Sequence, residues 1–245
     1  MAEPPGTASP PLRYRYRISF PDRSTRSVDV RIDRDSLSLI AEPRSVYPEW
    51  TRLGFRGCPN CPLDPSRHER CPVAGNLVDL LEFFKDRLSY EEVDVVVDSE
   101  NRSYSKHTSL QAALSSLLGL YMPTSGCPIL GRLRPMVVMH LPFQTRHETA
   151  IRMISTYLVT QYLLHRRGRQ PDWELADLLG QLEAIRTVNS AFCRRINAAT
   201  SKDASANALV ILSTLGNLPT GPLTRNEMTR IERIVRTHYG GLAGP

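Results

Sequence analysis

Apolar and charged residues alternate strictly from Leu12 to Phe20, with Leu12, Tyr14, Tyr16, Ile18 and Phe20 interleaved by Arg13, Arg15, Arg17 and Ser19. A period of two sends successive side chains to opposite faces, so this stretch predicts a half-buried strand. Pro21-Asp22-Arg23-Ser24 is turn chemistry. Val28, Val30 and Ile32 then alternate with Asp29 and Arg31, which completes a hairpin. Val93, Val95 and Val97 repeat the rhythm as a third strand. Ser99-Glu100-Asn101 turns the chain, and Arg102 to Lys106 predicts a fourth. Between the two strand pairs, Leu77, Val78, Leu80, Leu81, Phe84 and Leu88 recur at helical spacing, which predicts a helix over 75–88. The Pro, Gly and Ser-rich residues 1–11 read as a disordered tail.

From Thr108 the pattern becomes helical. Leu110, Leu114, Leu117, Leu118 and Tyr121 mark one face of a helix, with Thr108 or Ser109 as its N-cap. Pro123 to Gly126 ends it, and residues 129–139 predict another helix, kinked near Pro135. Thr145-Arg146-His147-Glu148 is a capping box that opens a helix to about Arg167. That helix is apolar nearly all round, through Ile151, Met153, Ile154, Tyr157, Leu158, Val159, Leu163 and Leu164, so it is expected in the core. Leu175, Leu178, Leu182, Ile185, Asn189, Phe192 and Ile196 advance by threes and fours. They form the seam of a long amphipathic helix, with Asn189 its one polar member. Packing within the chain is the simpler use of that seam, and a homo-oligomer the alternative. Residues 204–215 and 226–235 predict two more helices, and Gly240-Gly241 closes the fold. The expected class is α+β, a small antiparallel N-terminal sheet followed by a helical, bundle-like half. Residues 12–240 are expected to form one domain, with the sheet and a cysteine loop in 12–107 and the helical half in 108–240.

Charge changes this picture in one place. The chain of 245 residues has a net charge of +6. Residues 111–170 hold an equal excess by themselves, with Arg132, Arg134, Arg146, Arg152, Arg166, Arg167 and Arg169 set against Glu148 alone. Such a local field can draw an anionic partner. The plainer reading is a solvated helix face, with Arg166 and Arg167 complementing a helix dipole. The Arg–Tyr alternation of the first strand invites a nucleic-acid reading, yet tyrosines facing a core and arginines facing water explain it fully. With no basic leader before an apolar run and no apolar stretch of spanning length, the cytoplasm is the expected compartment.

Cysteine carries the candidate chemistry. Four of the five cysteines, Cys58, Cys61, Cys71 and Cys127, are followed by proline. Cys58 and Cys61 have the C-x2-C spacing that lets two thiolates share a tetrahedral metal. Cys71 adds a third thiolate. Cys127 is the expected fourth ligand, and His68 the alternative one. Zinc is the favoured occupant and an iron–sulfur cluster the alternative, against reduced thiols in a Pro-rich loop or a C-x-x-C redox pair. Cys193 reads as a small buried hydrophobe, and His140 and His147 as structural or solvated imidazoles. There is no Gly-rich phosphate loop, HExxH or G-x-S-x-G pattern. The expected function is a metal-containing binding or sensing protein. The alternatives are a redox enzyme or electron carrier, and a binder of an anionic partner through residues 132–169.

Several runs occur in order: Pro48-Glu49-Trp50-Thr51, CPNCPL from Cys58, CPVA from Cys71, TSLQAALSSLLG from Thr108, TSGCPILGRLRPM from Thr124, and His140-Leu141-Pro142-Phe143. Together they resemble an uncharacterised bacterial family of unknown function, over about residues 12–215. The resemblance implies one unit and groups the four Cys-Pro steps as a set. It implies no activity and no cofactor.

Overall fold

The computed structural model describes residues 9–200 and 222–236. Its strands are β1 (Leu12–Ser19), β2 (Thr25–Ile32), β3 (Glu92–Asp98) and β4 (Ser103–Ser109). Its α-helices are α1 (Pro72–Phe83), α2 (Leu110–Thr124), α3 (Arg146–Arg166), α4 (Ala176–Thr200) and α5 (Pro222–Arg236). Two 3-10 segments, Glu49–Thr51 and Leu130–Val137, join them. The fold is α+β, an antiparallel sheet of order β2-β1-β3-β4 followed by helices.

The alternation in β1 resolves as the sequence predicts. Tyr14, Tyr16 and Ile18 are buried against the helices. On the wet face, Arg15 meets Asp29 at 2.9 Å and Arg17 meets Asp98 at 3.0 Å. Exposed pairs of this kind are worth about 0–1 kcal/mol each. They face the β1 arginines with carboxylates and leave them little pull on a polyanion.

Several elements differ from the periodic reading. Helix α1 starts at Pro72 because Cys71 is extended and proline fits the first helical position, where no N–H donor is needed. It stops at Phe83, and Phe84 stays buried from outside the helix. The α-helix expected over 129–139 is instead 3-10 over Leu130–Val137. Pro135 lies inside it, and an α-helix there would lose a hydrogen bond and clash with the preceding turn. Helix α3 opens on the expected capping box, with Thr145 and Glu148 exchanging bonds. Only its inner side is core, however. Met153, Ile154 and Tyr157 are buried, whereas Val159, Tyr162 and Leu163 are exposed.

Every seam position of α4 is buried, Asn189 included, and all of them pack within the chain. Leu178 and Leu182, with Leu175 just before the helix, join Met153, Ile154 and Tyr157 in a small cluster. Ile185, Val188, Phe192 and Ile196 join the main core under the sheet and α2. One helix thus links two hydrophobic clusters. Its start is fixed by Asp172, whose carboxylate accepts from the N–H groups of Ala176 and Asp177 and from the Tyr157 hydroxyl. The helix expected over 226–235 is present as α5. The expectations for residues 1–8, 204–215 and Gly240-Gly241 lie outside the described residues. Among the described residues, no helix is long and apolar enough to cross a membrane.

Candidate functional site

A cavity of about 630 Å³ opens where the two clusters meet. Helix α2 forms one wall, offering Ser115, Ser116, Leu118 and Met122. The 3-10 segment adds Leu130, Leu133 and Met136, and α3 adds Arg146, Thr149, Arg152 and Met153. Lys106 of β4 stands at the rim, 5.8 Å from the centre of the Phe143 ring. Phe143 holds a φ of +59°, a backbone conformation that aromatic residues seldom adopt. Asn189 of α4 completes the lining.

The chemistry of the lining is one-sided. Lys106, Arg146 and Arg152 all reach it, and no carboxylate does among the described residues. Lys106 and Arg146 are exposed and sit at the mouth, while Arg152 is half-buried. Arg152 is pinned by acceptors that carry no formal charge. It donates to Gln144 Oε1, to the Met136 carbonyl at 2.7 Å and to the Met139 carbonyl at 2.5 Å. Burial lowers its pKa, and the positive charge is fixed in place facing the cavity. The accessible apolar lining comes from half-buried Leu133, Met136, Leu141 and Phe143, with Leu118, Met122 and Leu130 nearly inaccessible behind it.

His140, also on the lining, is buried and hydrogen-bonded through Nε2 to the Tyr16 hydroxyl at 2.7 Å. That hydroxyl also meets Ser116 Oγ at 2.8 Å. Burial, with the Arg152 charge second, pushes the imidazole pKa down to about 3. His140 is therefore neutral at pH 7, and it ties the sheet to the cavity wall. The structural reading of His140 agrees with this placement.

The seven arginines of the basic segment do not form one surface. Arg146 and Arg152 reach the cavity. Arg134 donates to the Pro123 and Ser36 carbonyls. Arg166, Arg167 and Arg169 are exposed at the end of α3, where they suit the helix dipole. Arg132 is exposed on the 3-10 segment.

The metal centre expected at Cys58, Cys61, Cys71 and Cys127, with His68 as alternative, is overturned. Among the described residues no group of three or more His, Cys, Asp or Glu side chains is placed to hold a metal ion. Zinc and iron–sulfur readings both need such a group. Burial instead favours the protonated thiols, raising Cys127 and pushing Cys58 up to about 11. His68 lies exposed just after a turn.

The Cys-Pro recurrence has a backbone cause. Cys58 accepts from the Cys61 N–H at 3.1 Å, closing a turn with Pro59 at its first corner. Cys71 accepts from the Gly75 N–H at 2.9 Å and leads Pro72 into α1. Cys127 accepts from the Gly131 N–H at 2.8 Å, just before the second 3-10 segment. Three of the four steps thus start a turn or a helix. All five cysteines are outside any disulfide.

Two residues matter more than the sequence suggested. Arg195 is almost fully buried and donates to the carbonyls of Trp50, Arg52 and Leu53 at 2.9, 2.6 and 3.0 Å. It clamps α4 to the first 3-10 segment. Asn189 is 2% exposed, and neither Nδ2 nor Oδ1 has a hydrogen-bond partner. A polar residue on an otherwise apolar seam was the available signal.

Fold and cavity together define an α+β protein with a cationic-mouthed, apolar-walled cleft. The chain belongs to the family described as Domain of unknown function (DUF6901), which it matches over residues 13–234. No curated protein and no solved structure matches it.

Proposed function

We propose that the protein binds a small amphipathic anion in the cavity between α2 and α3. The observation that carries this reading is the lining itself: three cationic side chains, no carboxylate among the described residues, and half-buried apolar side chains at Leu133, Met136, Leu141 and Phe143. Pockets that bind small molecules combine apolar walls with a few convergent polar groups, in volumes of roughly 300–1,000 Å³. The anionic partner expected from the basic segment thereby narrows to a ligand held by Lys106, Arg146 and Arg152. The apolar part of that ligand extends toward Leu133 and Met136. The absence of any disulfide suits a cytoplasmic setting, where thiols stay reduced.

Calorimetric titration with nonanoate tests the reading. Nonanoate is expected to bind, nonylammonium is not, and the Lys106→Glu, Arg146→Glu double variant is expected to lose about tenfold in affinity, or about 1.4 kcal/mol. Equal binding of the two amphiphiles, or an unchanged affinity in the variant, would refute it.

A further inference from the structure

The two halves of α3 have different surroundings. The first half lines the cavity through Arg146, Thr149, Arg152 and Met153. In the second half Val159, Tyr162, Leu163 and Arg166 recur at the spacing of one helix face, and the first three are 57, 53 and 47% exposed. Trp173 extends this strip. It is 50% exposed, and its ring lies 6.2 Å from that of His165, the residue before Arg166. A single exposed apolar residue is ordinary, but four in one patch, two of them large aromatics, mark an interaction surface.

Charge narrows what that surface meets. Arg166, Arg167 and Arg169 stand exposed at the same end of α3, and no carboxylate pairs with them among the described residues. Of the two acids that follow, Asp172 is taken up by the Tyr157 hydroxyl and the N–H groups of Ala176 and Asp177, which leaves Glu174 against three arginines. A second copy placed on this patch by a two-fold axis would bring both sets of arginines together, so charge disfavours self-association. An anionic lipid surface suits both parts of the patch. It neutralises the arginines, takes Val159 and Leu163 below its headgroups, and accommodates tyrosine and tryptophan, which concentrate at membrane–water interfaces. We propose that the second half of α3, with Trp173, docks on the surface of a bilayer rich in anionic lipid. The helix lies along that surface. This docking is independent of the reading of the cavity.

Flotation with vesicles of phosphatidylcholine alone, or mixed in equal parts with phosphatidylserine, tests it. The protein is expected to float with the mixed vesicles and to stay behind with phosphatidylcholine alone. Brominated acyl chains are expected to quench the tryptophan fluorescence, and Trp173→Phe to remove most of that quenching. The Arg166→Glu, Arg167→Glu double variant is expected to lose at least about tenfold in vesicle affinity. Leu163→Ser is expected to lose about fivefold. All three positions are exposed, and circular dichroism of both variants should match the wild type. No flotation with the mixed vesicles, equal flotation with both kinds, or affinity unchanged in folded variants would overturn the proposal. A dimer in light scattering that Leu163→Ser dissolves would give the face to a second copy and overturn it as well.

Discussion

Replacing Asn189 by leucine should make the protein more stable. The side chain is buried on α4 with Nδ2 and Oδ1 both unpartnered. An unsatisfied buried donor or acceptor costs about 1–3 kcal/mol, so the wild-type chain carries two such penalties. Leucine removes both and continues the seam of Leu182, Ile185, Phe192 and Ile196. Its different shape would strain a close-packed site by about 1–3 kcal/mol. Leucine matches asparagine in heavy-atom count and branching, which keeps that strain at the low end of the range. The expected net effect is a stabilisation of about 1–3 kcal/mol. For a chain of this size that raises Tm by about 2–12 °C. Urea unfolding followed by circular dichroism, with a thermal melt in parallel, measures it. A loss of 1 kcal/mol or more would mean that Asn189 has a structural partner, and the reading of its carboxamide as unpartnered would be refuted.

Other outcomes follow from the same structure. Arg195→Met leaves the carbonyls of Trp50, Arg52 and Leu53 without that donor and should cost about 1–3 kcal/mol, the range for a buried acceptor left unpaired. Arg194→Met, one exposed residue away, should stay within about 0.5 kcal/mol in the same unfolding assay, and equal losses in the two would refute the clamp. His140 has a folded pKa of about 3, below the 6.5 of an ordinary imidazole. The unfolded state therefore takes up a proton that the folded state refuses. His140's contribution is complete above about pH 6.5 and drains away toward pH 3, by up to about 1.4 kcal/mol per pH unit. His140→Gln should flatten that part of the stability profile, and an unchanged slope would show that His140 protonates in place. Chelators should leave Tm unchanged, since no metal-holding group is present among the described residues, and a fall in Tm with EDTA that added zinc reverses would restore a metal at the cysteines.

The sheet was readable because a period of two is unambiguous when every outward residue of β1 is charged or polar. The α4 seam was readable for the matching reason at helical spacing, and the capping box marked α3 to the residue. The 3-10 segment was not, because apolar spacing near Pro135 cannot separate an α-helix from a tighter coil. The outer half of α3 misled for another reason: periodicity counts apolar residues but does not say which of them find a neighbour. The cysteines misled most. A Cys-Pro step looks the same whether proline serves a ligand or starts a turn, and the hydrogen bonds at Cys58, Cys71 and Cys127 show the second use. The cavity was almost invisible, because Lys106, Arg152 and Asn189 come from three separate elements. Only the polar break at Asn189 and the arginine-rich segment hinted at it.

The central claim is that an amphipathic anion enters this cavity, and the methionines report on it directly. Met122, Met136 and Met153 line the cavity, whereas Met139 and Met228 are exposed and are not part of its lining. Carbon-13 methyl spectra of methionine-labelled protein, recorded during titration with nonanoate, separate the two groups. The account predicts saturable shifts at Met122, Met136 and Met153 with Met139 and Met228 unmoved. Shifts confined to the exposed methionines, or none at saturating nonanoate, would contradict it.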